Sequence, residues 1–202
     1  MKTIVLIPNV AQHMCDVGMK EKIVVGVAGM PGAGKATVKE MVEILGYPVV
    51  VMGDEVREET KRRRLKPTPG NVGMVMLKLR EEEGPAVIAK RCVPKIEKAE
   101  GRVVIVDGIR SLHEVNEFKR HFPNFTLIAI HASPETRFNR LFQRKRSDDP
   151  KGWETFIERD LRELSVGLGS AIATADRMII NEGTKAQLDR RVREILEEVI
   201  EK

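Results

Sequence analysis

Nine residues, Gly29-Met-Pro-Gly-Ala-Gly-Lys-Ala-Thr37, carry the most specific chemistry in the sequence. Their Gly-x4-Gly-Lys spacing lets the main chain curl until successive N–H groups point at one anion, while the lysine ammonium reaches its terminal oxygens. Gly29, Met30, Pro31, Gly32, Ala33, Gly34, Lys35, Ala36 and Thr37 are therefore the expected cradle of a polyphosphate such as ATP. Directly after Lys35, where a hydroxyl would ordinarily ligate magnesium, stands Ala36, and the hydroxyl comes one residue later on Thr37.

Two further pairs join a carboxylate to a guanidinium. Asp54 and Arg57 follow the apolar run Val49–Met52, and Asp107 and Arg110 close the run Val103–Asp107. Such groups at the carboxyl ends of parallel strands face the crevice where ligands bind. A third concentration of charge holds five bases in ten residues, Arg137, Arg140, Arg144, Lys145 and Arg146, with Asp148 and Asp149 behind them. Arg137, Arg140 and Arg144 are spaced by three and four, so they share one helix face, which meets water or a polyanion.

The elements that must hold these groups are legible as alternation. Five Val/Ile-rich runs, Ile23–Ala28, Val49–Met52, Val103–Asp107, Leu127–His131 and Met178–Asn181, lack polar alternation and so read as strands covered on both faces. Helical periodicity fills the gaps at Lys35–Leu45, Val72–Arg80, Ala86–Ala99, Leu112–Phe122, Pro134–Arg144 and Trp153–Leu164. A last stripe, Leu188, Val192, Ile195, Leu196 and Val199, predicts an amphipathic helix docking on the sheet. The fold class is α/β with a five-stranded parallel sheet. Phe138, Phe142, Trp153 and Phe156, at helical spacing, are expected as core beneath the basic segment.

Composition narrows the function classes. The chain has 202 residues, 42% of them apolar, which excludes disorder as a whole-chain description. With 35 Lys and Arg against 30 Asp and Glu the net charge is +5, a mild surplus that suits phosphate-bearing small molecules as well as nucleic acid. Lys61-Arg-Arg-Arg64 follows the acidic stretch Asp54–Glu59 and reads as a charge-balanced helix, so a nucleic-acid partner is not favoured. No run approaches the roughly 18 apolar residues of a membrane span. Cys15 and Cys92 lack Cys-x-x-Cys spacing, and the four histidines lack metal-ligand spacing; together these suggest a cytoplasmic protein. Residues 1–20 are expected to be an arm outside the domain.

The motifs together resemble those of nucleoside monophosphate kinases. Gly29–Thr37 is similar to the adenylate kinase loop Gly-x-Pro-Gly-x-Gly-Lys-Gly-Thr, Met52-Gly-Asp-Glu-Val-Arg57 to Thr-Gly-Asp-x-x-Arg, and Asp107-Gly-Ile-Arg110 to Asp-Gly-Phe-Pro-Arg shortened by one residue. The run Arg140 to Asp149 resembles the lid signature Arg-x-x-x-Arg-x-Arg-x-Asp-Asp, with Arg159 as the returning lid arginine. Closer still, Gly-Met-Pro-Gly, Pro-Thr-Pro, Leu-Arg-Glu-Glu-Glu-Gly-Pro, Val-Asp-Gly-Ile-Arg-Ser and Arg-Ser-Asp-Asp-Pro resemble an archaeal group of adenylate-kinase-related P-loop proteins, sometimes likened to dephospho-coenzyme A kinase.

This resemblance implies a P-loop kinase domain over residues 21–202, with an acceptor insert at about 54–100 and a short lid at about 140–160. It implies ATP and Mg2+, the metal near Thr37 and Asp107. The acceptor is a nucleotide, with AMP or another nucleoside monophosphate favoured. Arg57 and Arg110 would hold that acceptor, and Lys35, Arg140, Arg144 and Arg146 would neutralise the transferred phosphoryl group. The turn after the last strand, at Asn181, would flank the adenine. Asp54 is the candidate base should the acceptor be a hydroxyl instead, and a nucleotide-dependent ATPase or switch that binds RNA or protein is the other class.

Overall fold

A computed structural model describes residues 21–146 and 149–201. Ile23–Ala28 forms β1, and every one of its six residues is buried, as its unbroken apolar composition requires. After it come α1 (Lys35–Ile44), β2 (Val49–Val51), α2 (Met52–Arg62), α3 (Pro69–Glu83), α4 (Val87–Lys98) and β3 (Val103–Ile109). The second half runs α5 (Leu112–His121), β4 (Asn124–His131), α6 (Pro134–Arg144), α7 (Trp153–Ser165), α8 (Leu168–Ala173), β5 (Arg177–Ile180) and α9 (Lys185–Ile200).

The five strands are parallel in the order β2-β3-β1-β4-β5, which places β1 centrally with β3 and β4 beside it. Two apolar clusters cover the sheet. One joins Val24, Val104, Val106 and Leu127 to the helices α2, α3, α4, α5 and α8; the other joins Val25, Ile105, Ile128 and Ile179 to α1 and α9. The predicted final stripe, Leu188, Val192, Ile195, Leu196 and Val199, is buried in the second.

β3 carries one extra residue. Val27 pairs with Asp107 but Ala28 pairs with Ile109, so Gly108, at φ 103°, is bulged out. Ile109 thereby joins the same cluster as Val104 and Val106, and Gly26 leaves room for it, since a Cβ there would lie 2.4 Å from Ile109 Cδ1.

Three expectations shift. The second strand ends at Val51, and Met52 already begins α2, a helix absent from the periodicity. β4 begins at Asn124, three residues before the predicted Leu127. Phe156 is fully buried, but Phe142 and Trp153 are about half exposed, so the aromatic group is core only at its inner member. The expected arm and Cys15 lie outside the described residues, as does Asp148.

Candidate active site

β1 delivers the chain to Ala28, and the next six residues turn back before α1 starts at Lys35. Two glycines make that turn. Gly32 and Gly34 have φ of 82° and 112°, a region L residues rarely occupy. A Cβ at Gly32 would fall 2.7 Å from the Arg137 carbonyl oxygen, and one at Gly34 2.3 Å from Asn181 Nδ2. The loop is therefore clasped from outside by α6 and by the end of β5.

That clasp is polar. Asn181 Nδ2 donates to the Ala33 carbonyl at 2.8 Å, and Asn181 N–H donates to His131 O at 2.7 Å. Arg140 Nη2 in turn donates to the Asn181 carbonyl at 2.9 Å, while its Nη1 is buried without a partner among the described residues. Arg137 lies deeper. It donates Nη1 to Pro31 O and Nε to Ala132 O, both at 3.2 Å, forks onto Asp160 of α7 at 2.8 and 2.5 Å, and sits 4.9 Å from the centroid of Phe156.

Arg137, grouped by spacing with Arg140 and Arg144 on a face toward water or a polyanion, is thus buried and braces the loop instead. A long side chain at the foot of α6 reaches the core between α6 and α7, and spacing alone does not reveal that Asp160 waits there. Asn181, expected beside the adenine, turns its carboxamide into the loop. A cleft of about 320 Å3 opens next to it, lined by Ile180, Gly183, Thr184, Gln187 and Arg191, where the edge strand gives way to α9.

Lys35 folds over the loop and donates Nζ to the carbonyls of Gly29 and Met30, the latter at 3.2 Å. Burial lowers its pKa from 10.5 to about 8, opposed by the Asp107 carboxylate. The same burial pushes Asp107 up, with Lys35 pulling it back. Asp107 Oδ1 is buried and accepts no hydrogen bond from the described residues. An orphaned carboxylate oxygen near a phosphate loop, with the Thr37 hydroxyl on the first turn of α1, is an all-oxygen donor set of the kind Mg2+ uses alongside phosphate and water. Among the described residues no three His, Cys, Asp or Glu side chains cluster, so no closed protein cage for a metal competes with it.

Each arginine expected to hold an acceptor already holds a carboxylate. Arg57 pairs with Asp54 one turn earlier on α2, both about half exposed, and lies over Gly53. Arg110 Nη1 meets both oxygens of Glu163 on α7, at 2.8 and 2.6 Å. In the segment expected as a lid, Arg144 forks onto Asp149 at 2.9 and 2.5 Å, Arg159 lies 3.7 Å from the same carboxylate, and Arg146 offers it a backbone N–H at 2.9 Å with its side chain exposed. Asp149 is held below the usual carboxylate range by these bonds, against the opposing effect of burial.

The structure therefore gathers Lys35, Thr37, Asp107, Arg110 and Arg140 around the loop, while Asp54, Arg57 and Arg146 are exposed and Arg144 is turned onto Asp149. Asp160 and Glu163 are the residues that sequence reading missed. Their signal was present in the spacing of Phe156, Asp160 and Glu163, which puts three large side chains on the inner face of α7.

An AAA domain family matches residues 28–156, the stretch from the end of β1 into α7. A UPF0200 protein of the archaeon Methanocaldococcus jannaschii is 49% identical over 180 residues, covering 88% of this chain and 91% of that protein. Among solved structures, shikimate kinase from Acinetobacter baumannii in complex with shikimate superposes with a TM-score of 0.55 at 16% identity, covering 87% of this chain and 93% of that one. A gluconokinase from Sinorhizobium meliloti gives 0.52 at 15% identity, covering 85% and 89%. At such identities the likeness is one of fold: a five-stranded parallel sheet flanked by helices, as in P-loop kinases.

Proposed function

Because the chain belongs to the UPF0200 proteins and carries their P-loop kinase-like AAA domain, we propose that it is a phosphotransferase moving the γ-phosphate of ATP to a nucleotide-like acceptor, a nucleoside monophosphate in the first instance. The observation that carries this reading is the loop itself. Gly32 and Gly34 have no space for side chains, and Lys35 is held over the turn against loop carbonyls that a triphosphate would replace.

The chain's own groups divide the work. The loop amides and Lys35 bind the β- and γ-phosphates, and Arg140, poised with an unused buried Nη1, adds positive charge where the phosphoryl group passes. The cleft beside Asn181 receives the base. Thr37 and Asp107 would hold Mg2+, which when bound neutralises phosphate charge and orients the phosphate oxygens. Arg57 and Arg110 place the acceptor in line, and Arg144 and Arg146 close the exposed side.

The acceptor's chemistry decides whether a base is required. A phosphate monoester attacks through an oxygen already ionised at neutral pH, whereas a hydroxyl must lose a proton to a nearby carboxylate, for which Asp54 is the candidate. ADP formation from ATP with AMP, CMP, UMP or dephospho-coenzyme A, for wild type, Lys35→Ala and Asp54→Asn, tests both points. Turnover that depends on the acceptor, disappears in Lys35→Ala and survives in Asp54→Asn supports the monophosphate reading. A loss in Asp54→Asn as deep as that in Lys35→Ala replaces it with hydroxyl transfer. ADP released equally fast without acceptor and faster with RNA would make the protein an ATPase.

A further inference from the structure

Arg110 stands at the end of β3, just beyond the bulge, and both of its ends are held. Its backbone N–H donates to Glu114 Oε2 at 2.8 Å, and the same nearly inaccessible Glu114 carboxylate takes Arg80 Nη2 through its other oxygen at 2.6 Å. Its guanidinium is held only through Nη1, by both oxygens of Glu163. No other side chain among the described residues bonds Nε or Nη2.

A guanidinium has two bidentate edges, and the Nε–Nη2 edge is one of them. Glu163 therefore grips Arg110 in a way that leaves this edge unused. The exposures agree: the Arg110 side chain is 40% exposed, while Glu163 is 14% exposed and well covered by α7. Glu163 also lies close enough to Lys35 to raise its pKa, so the grip is made beside the phosphate loop rather than on a remote surface.

We infer that Glu163 is a positioning residue: by fixing Arg110 through Nη1 it presents the Nε–Nη2 fork to the phosphate of the acceptor. The inference rests on the acceptor role proposed above for Arg110 and names the group that makes the role specific. A planar fork held at one corner loses most of its freedom before the ligand arrives, so less entropy is lost on binding. The carboxylate's negative charge opposes the incoming anion, and the orientation gained outweighs it.

The test is calorimetric titration of AMP, and separately of inorganic phosphate, into protein whose P-loop is filled by Mg2+ and a non-hydrolysable ATP analogue. It compares wild type, Glu163→Gln, Glu163→Asp, Arg110→Ala and the double variant Arg110→Ala/Glu163→Gln. The expected result is an affinity loss of about tenfold in Glu163→Gln, the size of one charge-assisted hydrogen bond. Glu163→Asp recovers part of that loss, and adding Glu163→Gln to Arg110→Ala changes nothing further. Affinity for the ATP analogue changes by clearly less than affinity for AMP in every variant. Tighter anion binding in Glu163→Gln would make the carboxylate a competitor and overturn the inference. Additive losses in the double variant, a parallel fall in analogue affinity, or a wild type that binds neither anion would overturn it too. Failure of phosphoryl transfer as such is read separately, from ADP formation with the acceptor panel.

Discussion

At the scale of single residues, Lys35 and Asp107 form a pair beside the loop whose pKa values burial shifts in opposite directions. Lys35 has a pKa of about 8 because its ammonium is desolvated against the loop. A triphosphate in the loop favours the ammonium, so ATP binding must raise that pKa. The sign follows: near pH 6.5 the lysine is already protonated and binding takes up no proton from it, whereas at about pH 8.5 each binding event takes up a substantial fraction of one. Calorimetry in two buffers of different ionisation enthalpy measures this uptake, and Lys35→Met should abolish the difference between the two pH values. A second residue prediction concerns Asn181. Asn181→Ala leaves the buried Ala33 carbonyl without its donor and should weaken ATP binding by about 1–3 kcal/mol, read by titration of the nucleotide. The loop was legible from sequence because glycine spacing is a local constraint. Asn181's contact was not, for it joins positions 148 residues apart.

Elements show a different balance. α6 is attached to the loop and to α7 through Arg137, whose partner Asp160 is buried with it. Arg137→Met strands that carboxylate, which should cost about 3–5 kcal/mol and lower Tm by roughly 10 °C at 2–4 °C per kcal/mol. Arg137→Met/Asp160→Leu should regain much of the loss in thermal unfolding while the weakened grip on Pro31 still raises the KM for ATP. The same scale explains why α2 is visible in the sequence only as a charge-balanced stretch and not as an apolar period. Met52–Arg62 has almost no apolar period, because its inner face uses Glu55, Glu59 and Thr60 beside Val56. Those glutamates are matched from other helices, Glu55 by Lys95 and Glu59 by Arg91 at 2.9 Å as well as by Arg62 and Arg63 on its own chain segment. A face made hydrophilic and then neutralised from outside leaves no trace in a hydropathy pattern. The inner strands β1, β3 and β4 were readable for the opposite reason, being apolar under helices on both sides, whereas edge strand β5, expected to be covered on both faces, leaves Met178 and Ile180 exposed.

For the molecule as a whole, strand order brings β1, β3 and β4 together, so the loop after β1, Asp107 on β3 and the foot of α6 after β4 meet without any long connection. The helical insert between β2 and β3 and the α6–α7 pair stand on either side of that crevice. Ligand binding should therefore stabilise the whole fold. ATP with Mg2+ at about a hundred times its Kd contributes near 2.7 kcal/mol, an increase in Tm of about 5–10 °C, and Lys35→Ala should show almost none of it in a thermal melt. Net charge added little to this picture, because two of the four bases of Lys61–Arg64 are answered nearby, Arg62 by Glu59 and Arg63 by Glu59 and Glu82. The bulge at Gly108 imposes a last condition, one of parity. Successive residues of a strand point up and down in turn, so drawing Gly108 into the regular ladder would swing Ile109 out of its cluster and invert Arg110 to the opposite layer, away from Glu163. Surface loops elsewhere carry no such condition; here one residue left out of the ladder decides which way the end of β3 faces the candidate site.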